Sequence, residues 1–297
     1  MNTPDHSKSI ETLAANAAPF LFVLLWSTGF LGAKFGLPYA EPLTFLTVRM
    51  ILVVPILIVV AVLSGVEWLS PRQIGHSAVA GMLVHGLYLG GVFVSIGLGI
   101  PAGLSALITG LQPILTATIA NRWLGERVTP LQWGGLVLGL VGVALVLHDR
   151  PMAGQAGWGW LASFVALFAI TFGALYQKRY CGPIDWRVGN IFQYTAAGLM
   201  FGLGALMFET RVIDWQPPFF FALGWLTLVL SIGAIAILYW LIRHSAATKV
   251  ASFFYLVPAT TAIFAFFLFG EKLDGLSILG MVGCAAGVVL VNIRPKA

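Results

Sequence analysis

His85 and Tyr88 stand three residues apart in a long apolar stretch, a spacing that puts an imidazole and a phenol on one helix face. A polar ring in such surroundings has to face protein or water, and its titration range suits a pH-dependent gate. The plainer alternative is a neutral His bonded to a neighbouring helix. Arg49 offers a guanidinium that can hold a carboxylate in a bidentate fork, or can instead reach outward, or pair with Glu41 or a helix end. Trp26 lies beside Ser27, Thr28 and Gly29, where an indole either lines a cavity and stacks on a ligand or packs in a core. Gln112, just before Pro113, and Tyr239 and Tyr255 extend the set of candidates, with Trp240 weaker still. These are groups that recognise a small molecule; they do not form a set that breaks bonds.

The carboxylates point the same way. All eleven (Asp5, Glu11, Glu41, Glu67, Glu126, Asp149, Asp185, Glu209, Asp214, Glu271, Asp274) fall in the N-terminal tail, in connections or at helix ends. None lies near the middle of an apolar stretch, where it would mark a proton relay or a counter-ion for a cationic drug. No His-Glu-x-x-His pair and no Gly-x-Ser-x-Gly elbow occurs, so an intramembrane enzyme is disfavoured and neither a metal nor a cofactor is expected. Two cysteines, Cys181 and Cys284, suggest no disulfide framework.

The elements that must position these residues are membrane helices. Of 297 residues 59% are hydrophobic and 9% charged, and the mean hydropathy is +0.93, more apolar surface than a soluble fold of this length can hide. Ten apolar segments of about 20 residues can be marked, each long enough to cross a hydrocarbon core of ~30 Å. They run over 17–36, 42–63, 74–98, 101–121, 130–148, 157–178, 186–208, 218–243, 246–268 and 274–293, behind a polar, irregular tail at 1–16. With the N-terminus inside, eleven Lys and Arg residues fall in inside loops and tails against Lys34, Arg150, Arg211 and Lys272 outside. Both termini are therefore expected in the cytoplasm, and retained basic loops explain the net charge of +5 without nucleic acid. Trp68, Trp123, Trp133, Trp158, Trp160, Trp186 and Trp215 sit near segment ends, as an interfacial belt does.

The chain also repeats itself. Shifted by 145 positions, Ala102–Val146 lies on Ala247–Val291 without a gap, and 16 of the 45 positions are identical, among them Pro113 on Pro258, Gly125-Glu126 on Gly270-Glu271 and Gly142-Val143 on Gly287-Val288. Five spans per half is odd, so the halves, 17–150 and 157–293, are expected to run antiparallel through the bilayer. Pro113 and Pro258 each remove a backbone donor, giving either a hinge or a static bend. The glycine-rich spans five and ten read as packing scaffold.

Pro113…Gly125-Glu126-Arg127 and Pro258…Gly270-Glu271-Lys272, with Arg49 and Trp26 to Gly29 in support, resemble the drug/metabolite transporter superfamily, specifically its EamA-type exporters. Within these, Trp26-Ser-Thr-Gly-Phe and the many aromatics look most like aromatic amino-acid exporters of the YddG kind. The resemblance implies a basket of two five-helix halves around a central cavity, with amino acids or similar metabolites as cargo. It also favours a structural role for Arg49, since an arginine there is widely shared in such transporters. The expectation is an all-α inner-membrane exporter working by alternating access on an amino acid or similar small zwitterion. Its candidate cavity residues are Trp26, Thr28, Arg49, His85, Tyr88, Gln112, Tyr239 and Tyr255, its candidate hinges Pro113 and Pro258. Phosphate-bearing or drug-like cargo are the rivals within transport, a receptor or scaffold the rival outside it. Oligomeric state is left open.

Overall fold

Apolar runs this long bury their backbone polar groups by becoming helices, and the computed structural model contains ten among the described residues, 6–100, 105, 108–146, 148, 157–269 and 273–293. They are α1 (His6–Gly36), α2 (Pro42–Leu63), α3 (Pro71–Gly97), α4 (Gln112–Leu124, with Ser105, Ile108 and Thr109 also helical), α5 (Pro130–Val146), α6 (Gly157–Tyr180), α7 (Trp186–Phe208), α8 (Pro217–His244), α9 and α10 (Gly275–Asn292). Helix α9 has three parts: Ala247–Ser252, a 3-10 turn at Phe253–Tyr255, and Leu256–Phe269. Seven helices are long and apolar enough to cross a membrane, while Ala17–Ala33 and Pro130–Val146 form shorter apolar helices. The outer surface is apolar: Leu63 is 82% exposed and Phe208 76%. Such a skin suits lipid and not water.

One expectation is corrected at the N-terminus. The tail read as irregular is helical from His6, continuous with α1. Residues 6–18 hold no Pro or Gly and end in an alanine-rich stretch, so nothing in them stops the helix. The second Gly-Glu turn (Gly270-Glu271-Lys272) and the side chain of Lys34 lie outside the described residues.

Helices α5 and α10, the second spans of the duplicated stretch, pack antiparallel. Gln132 Nε2 donates to the Val291 carbonyl at 3.0 Å and Ser277 Oγ to the Val146 carbonyl at 3.4 Å. A methyl group added at Gly135 would lie 2.7 Å from the Gly287 carbonyl oxygen, and one added at Gly142 2.6 Å from that of Gly280. The 145-residue shift turns each of these two contacts into the other. Helices α2 and α7 also run antiparallel, Leu43 lying on Gly204 and Met50 on Gly198. At one end Glu209 accepts from the Leu43 and Thr44 amides (2.7 and 2.6 Å) while Glu41 accepts from Thr210. At the other end Gly125, with φ +72°, closes α4 in the left-handed conformation. The turn swings Glu126 onto the start of α9, where it accepts from the Ala247 and Thr248 amides, and to 3.4 Å from Lys178 Nζ. The helix that follows the turn, α5, is capped instead by Thr129 and Gln132, each accepting from the other's backbone amide.

Candidate functional site

The repeat-related helices α3 and α8 each contain a π-helical segment, Met82–Leu89 and Leu226–Ala234. Shifted by 145, the first coincides with 227–234. A widened turn redirects the side chains on it and is found disproportionately at functional sites. Both segments line a cavity of about 590 Å³, together with residues of α1, α2 and α7.

Its polar end is built around Arg49, which is 5% exposed. Nε donates to Ser231 Oγ at 3.0 Å, and Ser231 Oγ in turn donates to the Leu226 carbonyl, five residues back across the widened turn, at 3.1 Å. Tyr194 Oη donates to the Ser231 carbonyl at 2.7 Å, and its ring lies 4.4 Å from that of His85. The amide groups of Asn190 and Gln193, one turn apart on α7, face the imidazole. Neither terminal nitrogen of Arg49 has a hydrogen-bond partner, and no carboxylate pairs with it, among the described residues. A buried guanidinium presenting two parallel donors into a cavity is the geometry that grips a carboxylate.

The opposite wall is aromatic. Trp26, Phe30, Tyr88 and Phe93 line the cavity. Trp26 is held by Phe22 and Phe254, with ring centroids 5.1 and 5.4 Å away. Behind this barrier lie two further chambers. One of about 330 Å³ is bordered by Trp26, Tyr88, Gln112 and Pro258, and one of about 420 Å³ by Gln112, Phe254, Gln177 and Lys178. Shared lining residues string the three together, from the level of Arg49 to the end where Glu126 meets Lys178.

The structure thus brings Trp26, Arg49, His85 and Tyr88 to one cavity and puts Gln112 and Pro258 on the chambers behind it. Thr28 lies outside the cavity lining, donating to the Leu25 carbonyl and accepting from Trp225 Nε1 at 2.8 Å. Tyr239 is buried with its hydroxyl accepting from Gln193 Nε2 at 2.6 Å, and Tyr255 is fully buried against α5 at Gly139. Pro113 opens α4 just after a turn at Gly110-Leu111, and Pro258 follows the 3-10 turn of α9, so each proline trails a break in its helix. Sequence reasoning missed Tyr194, Ser231, Asn190 and Gln193. A signal for three of them was present, since Asn190, Gln193 and Tyr194 share one face of an otherwise apolar span. The described residues contain no group of His, Cys, Asp or Glu able to hold a metal ion.

Among the described residues, helices with a lipid-compatible outer surface surround a cavity carrying recognition groups, an arrangement that suits a multi-pass membrane transporter of small molecules. The chain belongs to the EamA-like transporter family, which matches it over residues 14–148 and again over 157–293. It is 26% identical over 285 residues to the uncharacterized inner membrane transporter YedA of Escherichia coli K12, covering 95% of this chain and 92% of that one. It is 27% identical over 296 residues to the uncharacterized transporter YvbV of Bacillus subtilis 168, at 97% and 94% coverage. A probable amino-acid metabolite efflux pump of E. coli K12 is 27% identical over 285 residues, at 91% and 92% coverage. A protein crystal structure with 18% sequence identity superposes with a TM-score of 0.78 over 94% of this chain and 96% of the other, a likeness of fold.

Proposed function

We propose that the protein exports amino acids or similar small zwitterions across a bacterial-type inner membrane, with both termini in the cytoplasm. The observation that carries this reading is Arg49, a buried cation whose terminal nitrogens are unpaired among the described residues, in a cavity lined in part by aromatic rings. A charge buried without a partner is strongly unfavourable, and a cargo carboxylate in its fork removes that penalty. The tryptophan, tyrosine and phenylalanine faces opposite give an apolar or aromatic side chain something to stack on, which favours aromatic amino acids.

Alternating access between two inverted five-helix halves is the mechanism this reading entails. Its support is the antiparallel crossing of α5 on α10 and of α2 on α7, together with π segments at matching places in the halves. Arg49 holds the cargo carboxylate, His85 and Tyr194 shape the polar end, and Trp26 with Tyr88 forms the barrier toward the Lys178 end. Pro113 and Pro258 are the hinge candidates. Flux of a labelled amino-acid panel in proteoliposomes, with and without a pH gradient, tests the proposal. Saturable amino-acid movement that Arg49→Gln abolishes is expected; flux of none of the panel refutes it.

A further inference from the structure

We propose a second cargo site at the far end of the chamber string, where Gln112, Gln177 and Lys178 take a small zwitterion or carboxylate by its polar head before it reaches Arg49; this rests on the transport reading above. Gln112 and Gln177 are 2% and 3% exposed, come from different helices and border the same 420 Å³ chamber. Neither side-chain amide has a hydrogen-bond partner among the described residues, although each carries two donors and an acceptor. Both amides open onto this chamber instead of being sealed in packing, so a guest with both donors and acceptors can engage the pair together.

Lys178 supplies the charge. Its ammonium reaches Glu126 Oε1 at 3.4 Å and donates to the Ser245 carbonyl, while Glu126 takes the Ala247 and Thr248 amides at the start of α9. A carboxylate therefore already occupies this cradle, supplied by the protein itself. Cargo entering with its own carboxylate competes for Lys178 by the same chemistry, loosening the strap between the α4–α5 turn and α9. Ile170, Leu238, Ile242 and Phe254 give the rest of the chamber an apolar lining suited to a side chain. The barrier of Trp26 and Phe254 separates this station from Arg49, so the two can be filled independently.

The test is equilibrium binding of labelled L-phenylalanine and L-threonine to the purified full-length protein in detergent. The wild type is expected to bind two molecules per chain of one or the other. Arg49→Met and, separately, Trp26→Ala should each leave one. Adding Gln112→Leu with Gln177→Leu, or Lys178→Met, should raise the half-saturating concentration of that remaining one at least tenfold, in protein that stays monodisperse. One molecule per chain in the wild type and none in the Arg49 and Trp26 variants overturns the second site and leaves the transport reading standing. Two molecules per chain that the Gln and Lys substitutions do not touch also overturns it. Absence of binding together with absence of amino-acid flux overturns both.

Discussion

At the scale of single residues, the proposed recognition rests on how Arg49 is held. Ser231 fixes Nε, and its hydroxyl is itself held by the Leu226 carbonyl five residues back in the widened turn of α8. Lysine keeps the charge at this place but lacks the fork, so Arg49→Lys should lower flux at limiting cargo by about thirtyfold, equivalent to about 2 kcal/mol of charge-assisted hydrogen bonding. Initial rates in proteoliposomes measure this, and a variant at wild-type rate removes Arg49 from the path. Trp26→Ala and His85→Ala should each impair flux while membrane insertion, followed by a fluorescent tag, stays normal. Arg49, His85, Tyr88 and Trp26 were legible because each is conspicuous in a lipid-soluble stretch. Thr28, Tyr239 and Tyr255 were just as conspicuous, yet each is spent on another helix, at Trp225, Gln193 and Gly139. Spans apolar on every side have no polar stripe to reveal which face turns inward, so polarity alone could not separate the two groups.

At the scale of elements, boundaries were well legible, because Pro, Gly and charge punctuate the apolar runs: α2, α7 and α10 begin and end within a residue or so of the segments marked from composition. The π segments were not, since an extra residue in a turn leaves no compositional mark. The α5–α10 crossing depends on backbones in contact. A methyl group at Gly142 would come 2.5 Å from the Cys284 amide nitrogen, which cannot rotate away. Gly142→Leu should therefore destabilise the protein by about 3 kcal/mol or more, read as a lower melting temperature in detergent; an unchanged melting curve contradicts the crossing. At the opposite edge, the Thr210 hydroxyl holds the Glu41 carboxyl below its usual value, with the Thr210 and Arg211 amides adding to the effect. A lowered folded-state value means the strap stabilises above the ordinary carboxylate range and is lost as pH falls through the folded value. Glu41→Gln should thus melt earlier than wild type at pH 7, and the two curves should converge below about pH 4. A gap that stays constant with pH rules out ionisation as its source.

At the scale of the molecule, the duplication read from Ala102–Val146 and Ala247–Val291 recurs as contacts that exchange under the same shift, Gly135 on Gly287 with Gly142 on Gly280. If the two halves rock against each other, the breaks preceding Pro113 and Pro258 are where their helices bend. The Pro113→Ala, Pro258→Ala double variant should then change the balance of the two open states. Cysteine crosslinking across each end reports that balance, and identical yields dismiss the hinge. What composition could not supply was the emptiness itself, because a hollow arises from how the facing surfaces of several helices fail to meet. One consequence follows for the working cycle. On the proposed reading, a cargo carboxylate is the counter-charge that Arg49 lacks among the described residues, so a vacant carrier holds a lone cation at its heart. Saturating cargo should then raise the melting temperature of the purified wild type and leave that of Arg49→Met unmoved.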